Sequence, residues 1–186
     1  MTVKVRAGDL LIAPPSMPDP RFEHGVMLVT HHNTRGAFAL CLNRPTEHTL
    51  KNILQPIDID LQQDWPLYWG GPVSQNTVWM IHDPEWSVEN TMRVDNSWAI
   101  TSHLHMFKKM SQGDLPKRFR IMFGHASWGP GQLEAELEGR EPWDHKSSWL
   151  VAHRPDPDWL INYEVDNLWS SSCSLCSQQT VDTWMA

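Results

Sequence analysis

Apolar residues along this chain come in short runs separated by turns, with few long helical stripes. Leu10-Leu11-Ile12-Ala13 reads as a short buried strand that ends at a proline-rich corner, Pro14 to Pro20. Residues 26–30 and 37–42 form two more apolar runs, and Asn33-Thr34-Arg35-Gly36 between them has turn chemistry. So short a turn predicts an antiparallel hairpin, which Asn43-Arg44-Pro45 stops. A short helix should follow, capped by Thr46 or Thr49, with Leu50, Ile53 and Leu54 on one face.

Further on, Leu67-Tyr68-Trp69 runs into a Gly70-Gly71-Pro72 turn, and residues 77–81 and 98–101 read as strands. Residues 102–110 look helical, ended by Gly113. Residues 119–123 are strongly strand-like and lead into a glycine-rich loop, 124–132, then a short helix that turns Leu133 and Leu137 inward. A last helix should start near Asp166 or Asn167. Strands outnumber helices, and hairpins mix with strand–helix units. The expected fold is therefore α+β (mixed α/β): one compact domain over 1–186, a mixed β-sheet with antiparallel hairpins and helices packed on it.

Charge narrows the function classes. Fifteen Lys and Arg against 22 Asp and Glu give a net charge of −7, a poor start for a nucleic-acid binder, whose affinity comes largely from neutralising phosphates. One local basic cluster exists, Lys108, Lys109, Lys117, Arg118 and Arg120, and is kept as a nucleic-acid candidate. The apolar runs at 10–13 and 37–42 are too short for a signal-peptide core or a membrane span, so the expected compartment is the cytoplasm. Three cysteines argue against a secreted disulfide framework.

The best candidate for chemistry is the 124–132 loop. A strand, a glycine-rich loop and a helix start together can present backbone N–H groups to an anion. Gly124, Ser127, Trp128, Gly129 and Gly131 are its candidate ligand residues, with Asn43, Arg44, His32 and His82 converging from neighbouring strands. Arg44 would clamp a phosphate or carboxylate with its planar fork; the plainer reading is a surface ion pair. The loop fails the known templates, since Pro130-Gly131 stands where a P-loop needs Lys-Ser/Thr and Ser127 does not sit in a nucleophile elbow. No metal site is expected: His103 and His105, two apart, would fall on opposite sides of a helix, and Cys173-Ser174-Leu175-Cys176 lacks a second ligand pair. No cofactor is expected either.

In order and spacing from about residue 8 to 143, the chain resembles the YqgE/AlgH family of bacterial proteins. The matching pieces are Leu11-Ile12-Ala13-Pro14, Asp19-Pro20-Arg21-Phe22, His32-Asn33-Thr34 and Asn43-Arg44-Pro45. Gly70-Gly71-Pro72-Val73, Asp95-Asn96 and above all Ser127-Trp128-Gly129-Pro130-Gly131-Gln132-Leu133-Glu134 complete them. The resemblance implies one α+β domain in the bacterial cytoplasm, some of its relatives being described as transcriptional regulators. His125, Glu23-His24-Gly25 and the segment from about 144, with its C-x-x-C, depart from the pattern.

The expected function is therefore a non-enzymatic regulatory or interaction protein, its eleven tryptophans being of a type enriched at interface hot spots. The alternatives are a small-molecule or nucleotide-handling enzyme using the 124–132 loop, and nucleic-acid binding through 108–120. The expected partner is another protein, with a small anionic ligand second, nucleic acid last and no membrane contact.

Overall fold

Strands buried on both faces read as unbroken apolar runs rather than alternating ones, and this explains the first third of the chain. β1 (Leu10–Ile12), β2 (Val26–Asn33) and β3 (Gly36–Cys41) form an antiparallel meander with Leu10 opposite Leu28 and Leu28 opposite Leu40. Successive side chains point to opposite faces. Leu10, Ile12, Val26, Leu28, Leu40 and Leu42 join one core, with Leu160 and Leu168. Leu11, Ala13, Met27, Val29, Ala39 and Cys41 join another, with Leu133 and Trp149. In the computed structural model, which describes residues 4–143 and 148–186, helices thus cover the sheet on both sides.

The remaining elements follow in chain order. They are β4 (Pro45–Thr49), α1 (Leu50–Leu54), a 3-10 turn (Gln55–Ile57), β5 (Pro66–Trp69), β6 (Val73–His82), β7 (Met92–Arg93) and β8 (Ala99–Thr101). Then come α2 (His105–Ser111), β9 (Phe119–Trp128), α3 (Gln132–Glu138), β10 (Leu150–Ala152), α4 (Pro157–Asn162) and α5 (Val165–Met185). The strands make one sheet in the order β10-β1-β2-β3-β9-β6-β8-β7, with β5 joined to β9 and β4 to β5. Among the described residues, β5 with β9 is the parallel pair in an otherwise antiparallel sheet, so the fold is the expected mixed-sheet α+β domain. A third core packs Leu50, Leu54, Met106, Phe107 and Met110 against Met80 and Ile121. No helix among the described residues is long and apolar enough to cross a membrane.

β9 is the hub. Its first half pairs with β5 and β6 and its second half with β3. Two devices hold these neighbours in place. The buried Arg120 guanidinium donates to the carbonyl oxygens of Leu42 and Ile161 and lies 4.6 Å from the centre of the Tyr68 ring. It thereby ties β9 to the end of β3 and to α4. The second device is a close backbone crossing, where Gly70 and Gly71 lie against Gly124 and His125 of β9.

Several elements differ from the sequence expectation. The strand predicted over 119–123 continues to Trp128, because Gly124 adopts φ +71° and the pleat resumes with Ala126 and Trp128 buried and Ser127 exposed. Residues 124–128 are therefore strand and not loop. The hairpin stops at Cys41, just ahead of Asn43-Arg44-Pro45 as expected, and Pro45 then opens β4; Thr49 is the α1 cap, its backbone N–H and hydroxyl both bonded to Asn52 Oδ1. β6 starts at Val73, ahead of the expected 77, and α2 starts at His105, three residues later than expected. β10 and α4 were not predicted. α4 is started by Asp156, which accepts from Trp159 N at 2.7 Å, with Pro157 in the first turn.

Candidate functional site

The proline-rich corner after β1 folds back over the sheet and opens two adjoining clefts. Asp19 organises the corner. Its carboxylate accepts from Arg21 N at 2.9 Å, Arg21 Nε at 3.0 Å and Arg21 Nη2 at 2.7 Å, and the Arg21 guanidinium holds the Asp19 carboxyl below its ordinary range. Asn43, just past β3, straps the corner down. Its Oδ1 accepts from Val26 N and its Nδ2 donates to His24 O, both at 2.8 Å.

The larger cleft, of about 750 Å³, is lined by Arg21, His24, Arg44, Trp69, Gln75 and Trp169, among others. Arg44 Nη2 donates to Glu23 O at 2.6 Å, and the guanidinium carbon sits 5.5 Å from the centre of the Trp69 ring. Its contacts are a neutral carbonyl and an aromatic face; the Asp19 carboxylate feels its charge, and Glu23 and Asp166 line the same cleft. Among the described residues, these contacts stand in place of the ion pair expected from the sequence. His24, at φ +54°, lays its ring 4.2 Å from Trp169, whose indole N–H donates to Ala13 O at 2.8 Å.

The smaller cleft, of about 320 Å³, shares Arg21 and Pro72 with the first. One of its walls is aromatic: Phe22 packs edge-on to Trp149 at 5.6 Å, and Trp149 packs edge-on to Trp128 at 6.0 Å. Glu136 satisfies both indoles, accepting from Trp128 Nε1 and Trp149 Nε1 at 2.9 Å each, and from Gln132 Nε2 at 3.0 Å. Three donors on one carboxylate pin these rings as a preformed wall.

The sequence candidates divide accordingly. Arg44 and Asn43 line the larger cleft, and Ser127 and Trp128 the smaller. Gly124 lies in β9 and belongs to the backbone crossing. The predicted anion cradle over 124–132 is not formed. Residues 124–128 are engaged in the sheet, the Gly129 N–H is taken by Gln132 Oε1 at 3.0 Å, and Gly131 caps a seven-residue helix.

His32 and His82 line neither cleft. His32 has Val5 O and Glu134 Oε1 at 2.8 Å from its two ring nitrogens. Burial works to raise the Glu134 carboxyl, but its own N–H and His32 outweigh that and hold it below the ordinary value. Of the basic cluster, Arg120 is buried under Tyr68, Lys109 pairs with Asp114 at 2.9 Å and Arg118 with Asp158 at 3.2 Å. Lys108 and Lys117 are exposed. The five therefore do not form one basic face. Arg21, Trp69 and Trp169 were missed as cleft residues; Arg21 could have been found from Asp19-Pro20-Arg21, a turn whose acid and base are two apart.

His82 is wholly buried and ends a directed chain of hydrogen bonds. Asp83 O can only accept, so Nδ1 donates to it at 2.8 Å and Nε2 accepts from Thr101 Oγ1 at 2.9 Å. Thr101 Oγ1 in turn accepts from Thr91 Oγ1 at 2.8 Å, which accepts from Val88 N at 2.9 Å. Burial pushes the His82 pKa below the ordinary 6.5, so the ring is neutral in the fold. Below pH 6.5 the unfolded chain takes a proton that the folded ring refuses, and stability falls as pH drops toward the folded pKa. The stability gap between wild type and His82→Gln, from urea melts, should be widest above pH 6.5 and narrow at lower pH. A gap independent of pH would remove His82 as its source.

Residues 10–180 match the model of the AlgH-like family. A UPF0301 protein from Methylococcus capsulatus is 36% identical over 173 residues, covering 91% of this chain and 88% of that protein. One from Rhizorhabdus wittichii is 32% identical over 158 residues, with 82% and 84% covered. The solution structure of the AlgH protein from Pseudomonas aeruginosa superposes with a TM-score of 0.74 at 27% identity, covering 94% of this chain and 92% of that one. A crystal structure from Corynebacterium diphtheriae, at 23% identity and TM-score 0.70 over 92% and 87%, shares the fold.

Proposed function

The chain belongs to the AlgH-like family, and from that premise we propose that it is a non-enzymatic interaction protein of the cytoplasm that docks an acidic protein segment in the cleft between Arg21 and Arg44. The observation that carries this reading is the state of Arg44, a cation held over Trp69 by main-chain oxygen and facing an open cleft. A carboxylate brought there would form charge-assisted hydrogen bonds with a preset fork. The adjoining wall of Phe22, Trp128 and Trp149 offers an apolar residue of the same segment a place to pack. Among the described residues, the titratable groups that line the Arg44 cleft beside its arginines are Glu23, His24 and Asp166.

If the role is regulatory, it acts through a protein partner rather than through DNA. Two of the five basic residues at 108–120 are spent in ion pairs and one is buried, so too few phosphate contacts remain for nucleic-acid affinity.

The test is fluorescence anisotropy with a labelled decaglutamate peptide carrying one tryptophan. Binding should weaken steeply with salt, and Arg44→Ala and Arg21→Ala should each lower affinity about tenfold or more. Binding indifferent to both substitutions would refute the proposal. A second reading, a small anionic ligand, draws on the shared Arg21 and Pro72, which join the Arg44 cleft to the one lined by Ser127. It is favoured instead if inorganic phosphate binds with the same arginine dependence and the peptide does not.

A further inference from the structure

We propose that Glu89, His103 and His105 form a surface site for one divalent cation of zinc's class. One ligand atom from each lies within 4.8 Å of the others. The two imidazoles meet edge to face with centroids 4.6 Å apart, and His105 Nδ1 is 3.5 Å from a Glu89 carboxylate oxygen. That separation is long for a hydrogen bond. It is close to the edge of a tetrahedron whose metal–ligand arms are about 2.0–2.1 Å, which is roughly 3.4 Å.

The helix start explains why the histidines converge. Within a helix, residues two apart diverge, but α2 begins at His105, and His103 lies in the corner ahead of it. The corner is closed by Met106 N donating to His103 O at 3.0 Å and by His105 N approaching His103 Nδ1 at 3.3 Å. Metal binding at that nitrogen would replace only this weak contact.

Glu89 comes from a loop tied to the same scaffold. Val88 N bonds Thr91 Oγ1, Thr91 bonds Thr101 of β8, and Lys109 of α2 donates to Ser87 O at 3.1 Å. The backbones of all three ligands are thus held, and inward rotation of the side chains by about 1 Å completes the geometry. The His105 and Glu89 side chains are 49% and 63% exposed, so nothing packed resists that movement. Two imidazoles and one carboxylate suit zinc better than magnesium or calcium, which prefer all-oxygen sets, and they leave a fourth position for water. None of the three residues lines either cleft, so the site is independent of the peptide-docking reading.

Isothermal titration of the full chain with zinc chloride tests this. The wild type should take up one equivalent that is lost in His103→Ala/His105→Ala and weakened at least about tenfold in Glu89→Gln. That equivalent should persist in Cys173→Ser/Cys176→Ser, the other soft-donor pair. Cobalt(II) in its place should show the visible absorption of a four-coordinate ion without sulfur charge transfer. Glu89 and His105 are exposed and His103 half-buried, so their variants should keep the wild-type circular dichroism, and near-isosteric serine keeps the packing of the half-buried cysteines. No uptake by the wild type, uptake unchanged in the double histidine variant, or uptake lost with the cysteines would each overturn the proposal.

Discussion

Arg120→Ala is expected to destabilise the protein by about 3–5 kcal/mol, read as a lowered urea midpoint. Arg120 is 7% exposed, and its guanidinium donates to two main-chain oxygens from different parts of the fold, Leu42 just past β3 and Ile161 in α4. Truncation would leave both without their donor and open a cavity beneath Tyr68. No carboxylate neutralises this cation among its contacts, and burial lowers its pKa from the ordinary arginine value, so the wild type already carries a desolvation cost. Arg120→Met refills much of the volume without that cost and should lose only about 1–2 kcal/mol. Neither variant has a donor for the two carbonyls, so the spread between them measures the cavity and the loss in Arg120→Met the hydrogen bonds net of the desolvation cost. A midpoint for Arg120→Ala equal to wild type would mean that α4 is held to the sheet by other contacts.

Gly71→Ala should be worse, with little soluble folded protein obtained. A Cβ there would stand 2.0 Å from the His125 carbonyl carbon and 2.2 Å from its oxygen, distances that only a displaced strand could relieve. Gly124→Ala meets the same crossing from the other side, at 2.3 Å from Gly71 O, and adds the strain of φ +71°. Gly131→Ala is the control. Its φ is +72°, but nothing lies within 4 Å of the added carbon, so it should show only the left-handed penalty of about 1–2 kcal/mol. Comparable melting temperatures for Gly71→Ala and Gly131→Ala would show that the crossing yields to the methyl group.

That crossing also marks the limit of what local sequence pattern encodes. The β2–β3 hairpin was legible because its turn residues and its apolar runs agree, and the structure pairs Met27 with Cys41 and Asn33 with Gly36. The last helix was legible too, beginning at Val165, one residue before the expected start. At Gly124 local pattern and tertiary structure part. A glycine after an apolar strand usually opens a loop, but here its missing Cβ lets two backbones touch, and β9 continues with buried Ala126 and Trp128. Alternation from Ala126 to Trp128 was the available signal, and it was outweighed by four residues of turn chemistry just beyond. The candidate site was half legible. Arg44 stood out as a cation after a strand, but its companion Arg21 and the aromatic walls come from segments brought together only by tertiary folding. No local pattern records that Phe22, Trp128 and Trp149 share a surface.

β1 lies between β2 and β10, and Leu10 pairs with Ala152. During synthesis the meander β1–β3 can zip early, yet one side of β1 has no partner until residues near 152 have left the ribosome. At about 5–20 residues per second that wait lasts many seconds. Through it a three-residue apolar edge, Leu10-Leu11-Ile12, stays open to any other strand that passes. Its brevity is what limits the hazard.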